Sequence, residues 1–152
     1  MAVRTEPAAV TPPADMPDLD VELLRASEAL LAASWVNGRH EVATALRLRD
    51  GSVHRGVHLE GSCRRSSVCA EPIALGAARS ARPDGPLDVV SVVSVQIKPA
   101  GRFRVIAPCG VCRELISDYA PEAVVWLTEP GTDLVVARAA LDLLPEKTRR
   151  SW

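Results

Sequence analysis

Three of the four cysteines fall into two short clusters that could bind a metal. Cys69 lies in SVCAEP, and Cys109 and Cys112 form a CxxC pair in APCGVCR. Thiolates are good zinc ligands. Structural zinc sites commonly take four protein ligands, whereas catalytic sites take three and keep one position for water. Three clustered cysteines with one open position therefore predict a catalytic zinc site.

An acidic residue stands two positions after the first of these cysteines. Glu71 is close enough to reach a water on the metal without being needed as a ligand. Zinc makes such a water acidic enough to act as hydroxide near neutral pH, and a neighbouring carboxylate can carry the proton. The pattern predicts hydrolysis by a zinc hydroxide nucleophile with Glu71 as proton shuttle.

Both cysteine clusters are predicted at helix starts. EPIALGAARSA, soon after Cys69, suits a buried helix, and CGVCRELISDYA suits another that begins at Cys109. Helix N-termini favour negative charge, so two of them facing one metal would help to hold three thiolates ionised. Arg113, next to the CxxC pair, is placed to offset part of the remaining negative charge.

Other interpretations of these residues remain open. A CxxC pair can be a redox-active dithiol. Cys63, six residues before Cys69, could complete a structural zinc site, although a buried small thiol is the commoner role for such a residue. Glu71 alone would be a favourable charge at a helix N-terminus. The combination favours the catalytic interpretation.

The remaining sequence predicts the scaffold. Apolar spacing over residues 18 to 35 indicates a helix that Asp18 or Asp20 can cap. Alternation around Asp50-Gly51 indicates a β-hairpin over 40 to 61. Further strands are predicted at 87 to 97, 102 to 107 and 123 to 128, with a short strand and a last helical turn in LVVARAALDLLP. This order predicts a three-layer α/β/α domain with a mixed five-stranded sheet.

Composition limits the function classes. The 152 residues are 47% hydrophobic and 24% charged with a net charge of -1, which suits one globular domain and gives no general nucleic-acid or membrane surface. Residues 1 to 17, with four prolines, predict a disordered lead-in, which leaves 18 to 152 as the domain. The N-terminus has no export-signal pattern, so a cytoplasmic protein with reduced or metal-bound cysteines is expected.

These motifs resemble the cytidine deaminase superfamily from about residue 38 to 145. Zinc deaminases share a Cys or His followed by Glu, then P-C-x-x-C; the chain has C-A-E at 69 to 71 and P-C-G-V-C at 108 to 112. The small nucleoside deaminases add a hairpin of the type VGAAL…DG…G-x-N-x-E-N. The chain has VATAL at 42 to 46, Asp50-Gly51 and G-V-H-L-E-G at 56 to 61.

The resemblance implies a zinc-dependent aminohydrolase that releases ammonia from a cytosine-like nucleoside. Glu71 would protonate the ring nitrogen and later the departing ammonia. Glu60 matches the acceptor for the sugar hydroxyl, while the Ala70 backbone and the Ala107 and Pro108 carbonyls would hold the amide edge of the base. The implied zinc ligands are Cys69, Cys109 and Cys112.

The chain departs from the family pattern at the substrate contacts. His58 stands where the pattern has a sugar-binding asparagine, and His40 replaces an aromatic residue that lines the base site. Pro72 replaces the arginine that often follows C-A-E, and no phenylalanine follows LLP near the C-terminus. Blasticidin-type deaminases also carry a non-arginine residue after C-A-E and act on a modified cytosine nucleoside. A modified cytosine nucleoside is therefore expected in preference to plain cytidine.

Two other functions stay open: a non-catalytic, zinc-containing ligand-binding module of deaminase fold, and a deaminase of an amino-purine such as guanine. The partner expected is a small nucleoside or base, with no nucleic acid polymer and no membrane. The resemblance also implies a homotetramer or dimer, consistent with apolar residues on the CxxC helix. Lys147, Arg149 and Arg150 are expected to form a solvated tail or to reach a neighbouring subunit's pocket.

Overall fold

The computed structural model describes residues 6–98, without the Lys98 side chain, and 101–150. In chain order the elements are α1 (Asp18–Ser34), β1 (Val42–Leu48), β2 (Val53–Val57), α2 (Ala70–Ala81), β3 (Val89–Lys98), β4 (Arg102–Val105), α3 (Gly110–Tyr119), β5 (Val124–Thr128) and β6 (Val135–Ala139). Short 3₁₀ helices cover Arg64–Ser66 and Ala140–Leu143. Within these described residues, no helix combines the length and apolar character needed to cross a bilayer.

The strands form one mixed sheet in the order β2-β1-β3-β5-β6, with β4 also paired to β3. The β3–β5 pair is parallel, and the other pairs are antiparallel. Within the described residues the sheet has six strands, of which five form the main order, as the sequence predicts, and β4 is additional. The additional strand is accommodated because one edge of β3 pairs with β5 over Ser91–Val93 and with β4 over Val95–Lys98.

Alternation along the strands divides the core into two layers. Ala43 and Ala45 of β1 pack in a cluster with Leu23 and Leu24 of α1. Their neighbours Leu46 and Leu48 belong to a cluster on the opposite face, which contains buried residues of α2 and α3. Since successive side chains of a strand point to opposite faces, one helix covers one face and two cover the other. The predicted three-layer α/β/α fold is confirmed.

Asp20 fills a different role from the predicted helix cap. Pro17 is the N-cap residue of α1, and no side chain caps this end. The Asp20 carboxylate is buried and accepts hydrogen bonds from Arg47 Nη2 at 2.6 Å and Trp126 Nε1 at 2.8 Å. The capping prediction is wrong because these two donors, from β1 and β5, turn the carboxylate toward the sheet.

The expected disordered lead-in instead contacts the fold. The Ala8 amide donates to the Gly101 carbonyl, and the Phe103 amide donates to the Ala8 carbonyl. The Val10 amide donates to Glu28 Oε1 at 2.7 Å, and Met16 is buried beside α1. Residues 6 to 17 thus have contacts with the fold, and residues 1 to 5 lie outside the described part of the chain. The division into a disordered lead-in and a domain that begins at residue 18 stays a prediction.

Replacing Asp20 with alanine is expected to lower the free energy of unfolding by about 3 kcal/mol, because a largely buried guanidinium loses its counterion and an indole N–H loses its acceptor. Urea denaturation measures the change. Asp18→Ala, which alters an exposed carboxylate in the same helical turn, should cost less than about 1 kcal/mol. Equal losses in the two variants would contradict the role of Asp20.

Candidate active site

The three cysteines of the predicted metal site lie at the starts of two helices. Cys69 is the N-cap residue of α2, and Cys109 is the N-cap residue of α3. Cys112 is the third residue of α3 and is fully buried. The prediction that both clusters begin helices is confirmed. Two helix N-termini therefore direct unpaired backbone N–H groups toward the sulfurs, which favours negative charge there.

The sulfur atoms of Cys69, Cys109 and Cys112, called the cysteine group from here on, have the spacing of a metal site. The Sγ atoms of Cys69 and Cys109 are 3.7 Å apart, and those of Cys109 and Cys112 are 3.5 Å apart. All three thiols are free, and their sulfurs lie within 4.8 Å of one another. Tetrahedral zinc with bonds of about 2.3 Å needs sulfurs about 3.8 Å apart. The donor set fits zinc.

Electrostatics in the cysteine group also favours a bound cation. Burial raises the pKa of the Cys112 thiol far above its usual value, and the Glu71 carboxylate raises it further. Burial likewise raises the pKa of Cys69. Burial acts to raise the pKa of Cys109 too, but hydrogen bonds from the Cys112 backbone and from both neighbouring thiols outweigh it, so the pKa falls. A cation would offset the repulsion among three thiolates and a carboxylate.

Glu71 lies beside the cysteine group. It is the second residue of α2 and only 4% exposed. Its Oε2 is 3.3 Å from Cys112 Sγ, and its Oε1 accepts a hydrogen bond from Ser94 Oγ at 3.2 Å. Proline follows at position 72 without cost to the helix, because the first four N–H groups of a helix have no intrahelical acceptor.

Gly56 sets the distance between α2 and the sheet. A Cβ atom at this buried position on β2 would lie 2.5 Å from the Ala70 carbonyl oxygen and 2.5 Å from the Ala74 nitrogen. Both are backbone atoms of α2, so no side-chain rotation could relieve the overlap. The absence of a side chain at Gly56 thus allows the first turn of α2, with Glu71, to rest directly on β2.

His58 and Glu60 form a contact at the end of β2. Their side chains are on the same face, as strand alternation predicts, with His58 Nε2 3.1 Å from Glu60 Oε2. His58 Nδ1 accepts from the Glu41 amide at 3.1 Å, which leaves Nε2 to carry the proton and donate to Glu60. Ser67 Oγ donates to the other Glu60 oxygen at 2.6 Å. The pKa of Glu60 is held below its usual value by the hydrogen bond from Ser67, followed by that from His58.

His40 hydrogen-bonds to the backbone of His58. Its Nδ1 lies 2.9 Å from the His58 carbonyl oxygen, so Nδ1 is the protonated nitrogen that donates. The contact joins His40, two residues before β1, to the residue that follows β2. The structure therefore brings both histidines to one end of the hairpin; the predicted contacts of His40 and His58 with substrate stay predictions.

Arg113 contacts the loop that precedes the CxxC pair. Its Nε donates to the Pro108 carbonyl at 2.9 Å and its Nη1 to the Leu143 carbonyl at 3.2 Å. Of the three predicted base-edge residues, Ala70 and Pro108 are buried and Ala107 is partly exposed. Arg113 thus hydrogen-bonds to two carbonyl groups, and its predicted role in offsetting the negative charge of the thiolates stays a prediction.

Cys63 lies apart from the cysteine group. It is exposed and precedes the 3₁₀ helix Arg64–Ser66, where its carbonyl accepts from Ser66 Oγ at 2.6 Å. The preferred alternative of a buried thiol is therefore wrong. Among the described residues, the group that could hold a metal has three cysteines and does not include Cys63.

The basic C-terminal residues contact the protein's own α3. Lys147 Nζ lies 2.8 Å from Asp118 Oδ1 and 3.0 Å from Glu114 Oε1, and Arg149 donates to the Ser117 carbonyl. Arg150 is exposed. The expectation of a solvated tail is therefore wrong for Lys147, whose side chain is 11% exposed, while Arg149 is exposed. The alternative that the cluster reaches a neighbouring subunit stays a prediction.

Two polar residues beside Glu71, Thr44 and Ser94, were not identified from the sequence as site residues. Both are buried, and their hydroxyl oxygens are 2.7 Å apart. Thr44 alternates with Leu46 and Leu48, so strand periodicity alone already places it on the face that α2 covers. A polar residue at this inward-facing strand position was the feature of the sequence that could have identified Thr44 as a site residue.

This fold, which carries a three-cysteine group and an adjacent buried glutamate, is similar to the folds of known proteins. Cytidine deaminase from Burkholderia pseudomallei is 29% identical with a TM-score of 0.71, and the match covers 88% of this chain and all of that one. Cytidine deaminase from Mycobacterium tuberculosis is 25% identical with a TM-score of 0.65, over 86% and 97% of the two chains.

Sequence comparison with characterised proteins gives the family. The chain is 35% identical over 136 residues to blasticidin-S deaminase from Bacillus cereus, which covers 87% of this chain and 94% of the relative. It is 37% identical over 83 residues to cytidine deaminase from Halalkalibacterium halodurans, over 55% and 58% of the two chains. No family model matches the chain. The chain belongs to the cytidine deaminase superfamily, and its relatives support a deaminase activity that hydrolyses an amino group.

Gly56→Ala is expected to destabilise the protein by about 3 kcal/mol, because the new methyl group must push α2 away from β2. The same shift should weaken metal binding, since Cys69 moves with the helix. Thermal or urea unfolding and metal titration measure the two effects. Gly76→Ala is the matched control on α2: its Cβ meets nothing within 4 Å, and alanine should stabilise the helix by about 0.5–1 kcal/mol. Unchanged stability in Gly56→Ala would contradict the close packing.

Proposed function

We propose that the chain is a zinc-dependent hydrolytic deaminase of a cytosine-like nucleoside, and of a modified one in preference to plain cytidine. The observation that carries the proposal is the cysteine group with tetrahedral-edge spacing, next to a buried carboxylate 3.3 Å from Cys112 Sγ. Three thiolates leave one zinc position open, which is the arrangement of a catalytic site.

Zinc held by the cysteine group would act as a Lewis acid that brings the pKa of a bound water close to neutrality. Glu71 is then the residue that moves protons. Its carboxylate accepts one proton from the attacking water and delivers it to the ring nitrogen next to the amino-bearing carbon. It then takes the second proton of that water and passes it to the departing amine. The water oxygen becomes the carbonyl oxygen of the product, and the amino group leaves as ammonia.

Backbone groups around Glu71 are suited to hold the base. Ala70 is fully buried at the first position of α2, and Pro108 precedes the N-cap of α3. The Pro108 carbonyl already accepts one hydrogen bond from Arg113, but a carbonyl oxygen has a second lone pair. We assign the amide edge of the base to these groups, with Arg113 fixing the direction of the carbonyl.

The sugar side of the substrate is assigned to Glu60 and His58. Ser67 and His58 hold Glu60 as an ionised acceptor suited to a hydroxyl group. The aromatic residues Trp35, Phe103 and Trp126 pack in the core under α1, on the face of the sheet away from α2. Limited aromatic stacking and a histidine at the sugar position favour a modified nucleoside, and the blasticidin-S deaminase relative supports this choice.

Assembly into a homotetramer or dimer is part of the proposal. Val111 and Tyr119 of α3 and Leu141 of the following 3₁₀ helix are exposed large hydrophobic residues. They lie on or beside the helix that carries Cys112, and burial of such residues between subunits is a common source of association energy.

The test is an ammonia-release screen of zinc-loaded protein against cytidine, deoxycytidine, blasticidin-type and other modified cytosine nucleosides, and amino-purines including guanine. Release from a cytosine nucleoside is expected, greatest for a modified one. Glu71→Gln should lower kcat by at least about 10³-fold while zinc content and the melting temperature stay near wild type. Full activity of Glu71→Gln would refute the mechanism. Release only from guanine, or from no compound, would favour the amino-purine deaminase or the binding module.

Removal of one thiolate ligand should weaken the binding of zinc. Cys112→Ser is expected to lose most of its zinc, measured as metal per chain after gel filtration, and to unfold at a lower temperature because metal binding contributes to folding. Cys63→Ser should keep one zinc per chain. Loss of zinc in Cys63→Ser instead would show that the metal site has a fourth cysteine ligand.

A further inference from the structure

Two buried hydroxyl groups lie beside Glu71, on neighbouring strands. Thr44 of β1 and Ser94 of β3 are directly opposite each other in the strand pairing, and their oxygens are 2.7 Å apart. Thr44 is fully buried and Ser94 is 3% exposed. Hydroxyl groups this deep in a sheet cost free energy unless they are hydrogen-bonded, so their partners define what they do. Thr44 and Ser94 are called the hydroxyl pair below.

The hydroxyl pair faces the helix that carries Glu71. Val93 and Val95, the neighbours of Ser94, pack in the core under α1. Ser94 therefore points to the opposite face, and its Oγ lies 3.2 Å from Glu71 Oε1.

Counting hydrogens fixes the direction of the bonds. Each hydroxyl group has one hydrogen, and Ser94 gives its own to the Glu71 carboxylate, which can only accept when ionised. Thr44 must then be the donor in its contact with Ser94. The order is Thr44 Oγ1–H to Ser94 Oγ, and Ser94 Oγ–H to Glu71 Oε1. Donors aligned in one direction polarise each other and strengthen the bond to the final acceptor.

This chain of bonds gives the two oxygens of Glu71 different tasks. Oε1 is engaged by Ser94, while Oε2 lies 3.3 Å from Cys112 Sγ, on the side of the cysteine group. We propose that the hydroxyl pair positions Glu71, holding Oε1 so that Oε2 faces the metal group and carries the proton. The inference rests on the proposed deaminase function and assigns residues that lie outside the cysteine and glutamate motifs.

Kinetics test the positioning role. Ser94→Ala should lower kcat roughly tenfold to a hundredfold with little change in KM, because the carboxylate loses its fixed orientation while substrate contacts remain. Thr44→Val should lower kcat less, since Ser94 still donates to Oε1. Thr44→Ser, which keeps the hydroxyl, should restore wild-type kcat. Ser91→Ala is the control, because Ser91 is also a buried serine of β3 and its hydroxyl has no partner among the described residues.

Stability is separated from positioning by a double variant. Ser94→Ala leaves the Thr44 hydroxyl without its acceptor, whereas Thr44→Val/Ser94→Ala replaces the whole hydroxyl pair with apolar groups. The double variant should keep its zinc and melting temperature and still show the kcat defect of Ser94→Ala. An unchanged kcat, or a rise in KM alone, in a folded and zinc-loaded double variant overturns the proposal.

A structural readout keeps the proposal testable apart from activity. Crystal structures of the zinc-loaded wild type and Ser94→Ala should show the Glu71 carboxylate rotated or in two conformers only in the variant. The same Glu71 conformation in both overturns the positioning role, even if no substrate is found. Conversely, failure of the wild type in the ammonia screen, with a displaced Glu71 in Ser94→Ala, counts against the proposed function and not against the positioning.

Discussion

The site depends on the contact between the first turn of α2 and β2 at Gly56. Because Cys69 is the N-cap of α2 and Glu71 its second residue, the depth of this helix determines whether its thiol and carboxylate reach the CxxC pair. The contact involves backbone atoms on the helix side, so it is rigid in a way that side-chain packing is not. Cys69, Ala70 and Glu71 are all positioned from this one interface.

A second consequence of that packing is electrostatic. It places the buried Glu71 carboxylate and the buried Cys112 thiol beside Cys69 and Cys109, where the negatively charged forms repel each other. The helix N-termini and the Ser94 hydroxyl offset part of this cost, and a bound cation would offset more of it. A cation held there would therefore link stability to chemistry.

Local spacing made most of the site predictable. The cysteines and Glu71 lie at helix starts that composition indicates, and strand alternation placed His58 beside Glu60. The errors concern residues whose role depends on distant partners. Asp20 is turned away from the helix end by donors on two separate strands, β1 and β5. The hydroxyl pair joins positions that are fifty residues apart in the sequence. No local pattern contains those pairings, because the sheet order that creates them is set by packing of the whole domain.

The segment around Ala8 lies along the outer edge of β4. On one side β4 pairs with β3, and on its other side Ala8 hydrogen-bonds to Gly101 and Phe103. An uncovered strand edge invites pairing with other molecules and aggregation, and a short covering segment prevents it. A truncated form that began at α1 would leave the outer edge of β4 open next to Ala8, so residues 6 to 17 cover part of a strand edge as well as packing on α1.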